Sequence, residues 1–262
     1  MRIKPTALIG VLIWLVYGAV VVLIQLASGI PYTEFGDSTT NMLKTTIPSL
    51  AAGAVVIVVA ALWLGWFRAA MRDENRTKAG WALVAPIIYV IIVIATFAAT
   101  DWGNVTTGFL LVALALGVLV GFAEEFLCRG LLLVGLRGSV HEVAVWALTC
   151  VLFGIMHGLN VFLGAPAGET IVQIVLAMVQ GSAFYILRRH FGTLVLAMVL
   201  HGLWDMAIFV QASSGAPASL VSSLVWVAAP FAIVGGFVVA RRTQRGPLES
   251  YARGADAVPA AA

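Results

Sequence analysis

Glu124 and Glu125 stand side by side in an apolar run, Thr107–Leu133, with Arg129 four positions after Glu125. Phe153 and His157 lie in a second run, Val143–Phe162, and His201 and Asp205 in a third, Thr193–Val210. On helices, residues at i and i+4 share a face, so Glu125–Arg129, Phe153–His157 and His201–Asp205 form pairs on single faces. Glu124 is turned about 100° from Glu125. The geometry therefore predicts a Glu125–Arg129 ion pair and leaves Glu124 free for chemistry. A carboxylate in an apolar wall is poorly hydrated, which strengthens it as a base.

These groups matter because of the solvent around them. The chain has 262 residues, 61% of them apolar and 10% charged, with a mean hydropathy of +1.03. About a quarter of a soluble globular chain is charged, so lipid is the expected solvent for most of this surface. Runs long enough to span a bilayer, roughly 17–25 residues, fall at Ala7–Leu26, Pro48–Phe67, Trp81–Ala99, Thr107–Leu133, Val143–Phe162, Thr170–Leu187, Thr193–Val210 and Leu220–Ala240. The first run follows Arg2 and Lys4 and exceeds a signal peptide's apolar core of about 7–15 residues, so a retained helix is expected. The predicted class is all-α: a polytopic membrane protein of about eight transmembrane helices. Residues 1–240 form a single transmembrane domain in this reading, with the motif-bearing core at about 116–210. Residues 241–262 form a disordered cytoplasmic tail.

Charge fixes the expected orientation. Of the fifteen Lys and Arg, every one but Lys44 falls on one side of an eight-helix chain. By the positive-inside rule that side is the cytoplasm, so both termini are expected there, in a multi-pass protein of the cell (inner) membrane. The net charge of +3 is spread over short loops, so no nucleic-acid partner is expected; the expected partner is the bilayer. Trp63, Trp66, Trp81 and Trp102 near run ends are expected as interfacial anchors. Tyr32–Thr46 reads as a polar external loop. Cys128 and Cys150 show no CxxC spacing and read as buried small hydrophobes.

Each ionisable group placed mid-membrane costs on the order of 3 kcal/mol and marks a site by default. With helix ends taken at the basic loops, Glu124 lies roughly 14 Å in, His157 roughly 21 Å, His201 roughly 12 Å and Asp205 roughly 18 Å. Three helices thus deliver polar groups to one layer, and access from the basic, cytoplasmic side is expected. The same residues would also serve a proton-coupled transporter, although broken helices and repeats are not evident.

The three motifs in order, Glu124-Glu125-Phe126-Leu127-Cys128-Arg129 (EExxxR), Phe153-Gly154-Ile155-Met156-His157 (FxxxH) and His201-Gly202-Leu203-Trp204-Asp205 (HxxxN/D), resemble the CPBP (ABI) family of intramembrane endopeptidases. That family includes the type II CAAX prenyl proteases and bacteriocin-immunity proteins. The resemblance covers roughly Leu116 to Val210, and Gly181 and Gly192 stand where such sequences commonly carry glycine. It implies a peptide or membrane-protein substrate as partner and hydrolysis of its peptide bond by glutamate-activated water, in peptide maturation or bacteriocin self-immunity. Glu124 would be the base, His157 would hold the water, and His201 and Asp205 would stabilise the oxyanion, with Glu125, Arg129 and Phe153 in support. Asp205 stands where an amide is common in the family; it donates a hydrogen bond only when protonated, or else it orients His201. No cofactor is favoured, but Glu124, His157 and His201 would make a His₂Glu zinc set, so that alternative stays open. A non-catalytic immunity or scaffold protein would keep the fold and tolerate loss of Glu124.

Other intramembrane proteases fit less well. His141-Glu142 begins an HExxH zinc motif, but Val145 stands where the second His is needed and the pair is expected in a loop. Paired catalytic aspartates and a GxSG nucleophile motif are both missing from the sequence. The Ala, Val, Gly and Arg usage resembles that of bacterial chains, where prenylated partners are not expected.

Overall fold

Among the described residues, eight helices are long and apolar enough to cross a membrane: α1 (Ala7–Ala27), α2 (Thr39–Leu64), α3 (Gly80–Ala98), α4 (Thr107–Arg137), α5 (Glu142–Leu163), α6 (Ala167–Phe191), α7 (Val195–Ser213) and α8 (Val221–Arg242). They are seen in a computed structural model that describes residues 1–242 apart from 75, 78, 218 and 219. The tail expected after residue 240 falls, beyond residue 242, outside the described residues. The chain is all-helical, with no strand among the described residues. Side-chain caps start several helices: the Thr6 hydroxyl accepts from the Ile9 amide at 3.3 Å, and the Thr106 hydroxyl from the Phe109 amide at 3.2 Å, each satisfying an otherwise orphaned donor. Apolar side chains such as Leu8 (69% exposed), Val55 (63%) and Val118 (64%) stand on the outer surface, as a lipid-facing wall requires.

The sequence and the structure part company at the helix ends. Tyr32–Thr46 is not a solvated loop. It forms a 3₁₀ turn at Tyr32–Glu34 and the start of α2, and it buries Phe35 and Met42. Trp66 is not an interfacial anchor; it is fully buried, and its indole N–H donates to the Ile3 carbonyl at 2.7 Å. Trp63, Trp81 and Trp102 are exposed. Glu142 is the first residue of α5 and not part of a loop.

The basic end is closed by a buried ion network drawn largely from residues expected in loops. Arg137 binds Asp73 at 2.9 Å and Glu142 at 2.5 Å, and Arg189 binds Asp73 at 2.6 Å. Tyr185 donates to Glu142 at 2.8 Å, while Arg188 donates to the backbone carbonyls of Ala69, at 2.7 Å, and Ala70. This network pins the short helix Phe67–Met71 and the following loop beneath α4 and α6. Burial alone would raise the Asp73 carboxyl, but Arg137, Arg189 and Arg188 outweigh it and hold the group well below the usual carboxylate range. A carboxylate depressed in the folded state contributes stability above its unfolded pKa, which is lost as pH falls. The unfolding midpoint of the wild type should therefore drop as the pH falls below about 4. Asp73→Asn should lose about 3 kcal/mol at neutral pH and show a flatter acid response in thermal unfolding.

Candidate active site

Glycines set the helix crossing that assembles the site. A Cβ at Gly121 would strike the Met198 carbonyl, and one at Gly202 would strike the Gly117 carbonyl. α4 and α7 therefore meet backbone to backbone, as small residues allow between membrane helices. This crossing brings Glu124 and Glu125 of α4 against His201 of α7. Immediately afterwards α4 widens into a π-helical turn, Phe126–Leu132, a feature concentrated at functional sites.

Arg129, inside that turn, donates to Glu125 Oε1 at 2.7 Å, and both side chains are fully buried. The guanidinium lies 4.0 Å from the centre of the Phe153 ring. A Cβ at position 181 would collide with Arg129 Nη2, so Gly181 makes room for the pair. Glu125 Oε1 also receives His201 Nδ1 at 3.1 Å. A carboxylate only accepts, so Nδ1 carries the proton and the other ring nitrogen is directed elsewhere. His201 Nε2 lies 3.9 Å from Glu124 Oε2. The imidazole is held flat by stacking on Phe184 (centroids 5.0 Å apart) and edge-on by Phe153 at 5.6 Å. Arg129 thus holds Glu125, Glu125 holds His201, and the far nitrogen of His201 lies beside Glu124 without a hydrogen bond to it.

Glu124 ends that chain at the wall of a cavity of about 850 Å³. Its side chain is 15% exposed, and Oε2 has no hydrogen-bond partner. His157 and Asp205 line the same cavity. His157 Nδ1 lies 2.9 Å from the Phe153 carbonyl. Since a carbonyl only accepts, the neutral ring carries its proton there and keeps Nε2 as an acceptor. Phe153 also meets the His157 ring edge-on at 5.0 Å. Asp205 makes no hydrogen bond to another described residue, and His201 takes its orientation from Glu125 rather than from Asp205.

The structure therefore gathers all seven residues singled out in the sequence but separates their positions. Glu124, His157 and Asp205 face the cavity, whereas Glu125, Arg129, Phe153 and His201 lie behind it. Among the described residues no three His, Cys, Asp or Glu side chains come together to hold a metal ion. Glu124, His157 and His201 thus do not form a ligating set. Cys128 and Cys150 are buried free thiols.

Access runs opposite to expectation. The cavity is walled by the second half of α1 (Tyr17 to Gln25), the start of α2 (Thr46, Leu50) and the end of α7 (Ala212, Ser213), all at the end away from the termini. α4 continues to Arg137, which puts Glu124 about 20 Å from the basic end at 1.5 Å per residue, and the ion network closes that end. Tyr32 and Asp37 form part of the rim, pinned where Gln173 donates to the Tyr32 hydroxyl at 3.2 Å and Asn160 donates to Gln173 at 3.0 Å. Tyr17, 1% exposed with an unpartnered hydroxyl, also borders the cavity. Nothing in the spacing of the first helix singled out Tyr17, and Phe184 read only as one more apolar residue.

Residues 106–207 match the family model described as type II CAAX prenyl endopeptidase, Rce1-like. The matched segment contains all three motifs, and with them the helices α4 to α7 that build the site. No curated protein matches the chain. Over this segment, less than half of the chain, the protein is similar to CAAX-protease-like membrane endopeptidases.

Proposed function

We propose that this protein is an intramembrane endopeptidase that hydrolyses a peptide bond with water activated by Glu124. The observation that carries this reading is the Glu124 carboxylate, unpartnered at Oε2, at the wall of a cavity that His157 shares. Water in the cavity attacks the scissile carbonyl carbon as Glu124 takes its proton, and the C–N bond breaks as that proton passes to the leaving amine. His157 Nε2 accepts a hydrogen bond from the water's other O–H, which stays on the oxygen, and so orients the attacking lone pair. His201, held by Glu125 and Phe184, places its Nε2 3.9 Å behind the Glu124 carboxylate. Asp205, on the cavity wall, donates to the oxyanion in its protonated form. The Arg129–Glu125 pair supplies the rigid base for this arrangement.

The basic end faces the cytoplasm in this reading, so both termini are cytoplasmic and the cavity opens to the opposite side of the cell membrane. A substrate presented from that side fits peptide maturation or self-immunity better than cleavage of a cytosolic prenylated tail. Purified protein in nanodiscs, incubated with a mixed peptide library, is expected to produce defined new peptide ends read by mass spectrometry. Those ends should appear unchanged with a strong zinc chelator present, since the chemistry uses Glu124 and no metal. Absence of cleavage, or its abolition by the chelator with recovery on added zinc, would overturn the mechanism.

A further inference from the structure

The cavity carries one sign of charge. Its acidic lining residues are Asp37, Glu124, Glu169 and Asp205, with no Lys or Arg among the described residues that wall it. Asp37 and Glu169 are exposed at the mouth, whereas Glu124 and Asp205 are half-buried within. Neither rim carboxylate makes an ion pair with another described residue, and neither is tied into a hydrogen bond that would blunt its field. Between rim and floor the wall is apolar, with Val21, Leu50, Leu116, Val120, Ile208 and Phe209. A cleft of one sign with low-dielectric walls focuses its field and concentrates ligands of the opposite sign.

Two further observations point to a bound chain. The Tyr17 hydroxyl is 1% exposed and unpartnered beside the cavity, and an orphaned donor at a binding wall is satisfied when a peptide carbonyl arrives. The cavity volume of about 850 Å³ lies in the range that encloses a short peptide segment. A carboxylate-ended tail, by contrast, would meet only negative charge.

We propose that the cavity selects a cationic, amphipathic peptide segment entering at the end away from the termini, with its Lys or Arg side chains at Asp37 and Glu169. This rests on the protease reading for the fate of the segment, although binding itself does not need Glu124 to react. The apolar wall takes the side chains between the basic residues, and the peptide bond reaches Glu124 below them. An acidic segment is repelled at the mouth by Asp37 and Glu169.

The test uses Glu124→Gln protein in nanodiscs, which binds without cleaving, and three fluorescent peptides of equal length and apolar content with net positive, zero and negative charge. Anisotropy should show the cationic peptide binding roughly tenfold tighter than the neutral one at low salt, with the preference shrinking as salt rises. Asp37→Asn with Glu169→Gln, both at exposed positions, should remove most of that preference, and Asp37→Lys with Glu169→Lys should turn it towards the anionic peptide. Equal binding of all three peptides, or a preference untouched by the rim variants, overturns the proposal. If the charge preference holds while wild-type protein cleaves none of the peptides, the catalytic reading fails and the cationic-peptide site stands.

Discussion

Glu124→Gln should reduce peptide cleavage by about a thousandfold, within the range expected when a general base is lost, while leaving the fold intact. Gln keeps the shape of the side chain but cannot take a proton from water. The Glu124 Oε2 atom makes no hydrogen bond, so the substitution breaks none there, and His201 remains bound to Glu125 at 3.1 Å. Thermal unfolding of the variant should match or exceed that of the wild type, because one buried charge is gone. kcat should carry the loss and KM little of it, since the proton is transferred only in the transition state. A variant with near-normal kcat would remove Glu124 from the chemistry, and the site would then read as a binding cavity in a non-catalytic immunity or scaffold protein.

Arg129→Ala should have the largest effect on stability. Arg129 and Glu125 are both fully buried at 2.7 Å, and removing one partner of such a pair leaves a buried charge at a cost of about 3–5 kcal/mol. The loss should appear as a lower unfolding temperature in detergent and as poor accumulation in membranes. Arg129→Lys should not rescue it, because a lysine lacks the planar group that lies 4.0 Å from the Phe153 ring centre. The double change Glu125→Leu with Arg129→Met separates stability from activity. Replacing a buried pair by apolar residues of similar volume is often close to neutral, so stability should largely return. Activity should not, because His201 then has no acceptor for Nδ1 and its ring beside Glu124 is no longer held in place. A double variant that is both stable and fully active would reduce the pair to a packing element.

The eight spans were legible from apolar run length, because in lipid only a helix satisfies its own backbone. The site was legible as well, since ionisable residues are costly in lipid and Glu124, His157, His201 and Asp205 stood out against apolar neighbours. Helical spacing separated Glu124 from Glu125, but it put His201 and Asp205 on one face, whereas only Asp205 lines the cavity and His201 lies behind it. Three things were not legible. The π turn at Phe126–Leu132 has no signature of residue type; tertiary packing selects it around Arg129. Asp73, Glu142 and Arg189 read as loop charges because hydropathy averages each residue over its neighbours. Their burial depends on partners from distant segments, such as Arg189 on Asp73. The side of access was misjudged for the same reason: which end of a bundle is plugged depends on that network and on how Tyr32–Asp37 folds, not on how deep any one residue lies along its own helix.

The most direct measurement is the profiling of peptide ends in membranes from cells producing wild-type or Glu124→Gln protein at matched levels. The account predicts a small set of ends present only with the wild type, arising from segments exposed on the side of the membrane opposite the termini. Identical profiles, with the Gln variant still supporting whatever phenotype the wild type supports, would contradict it.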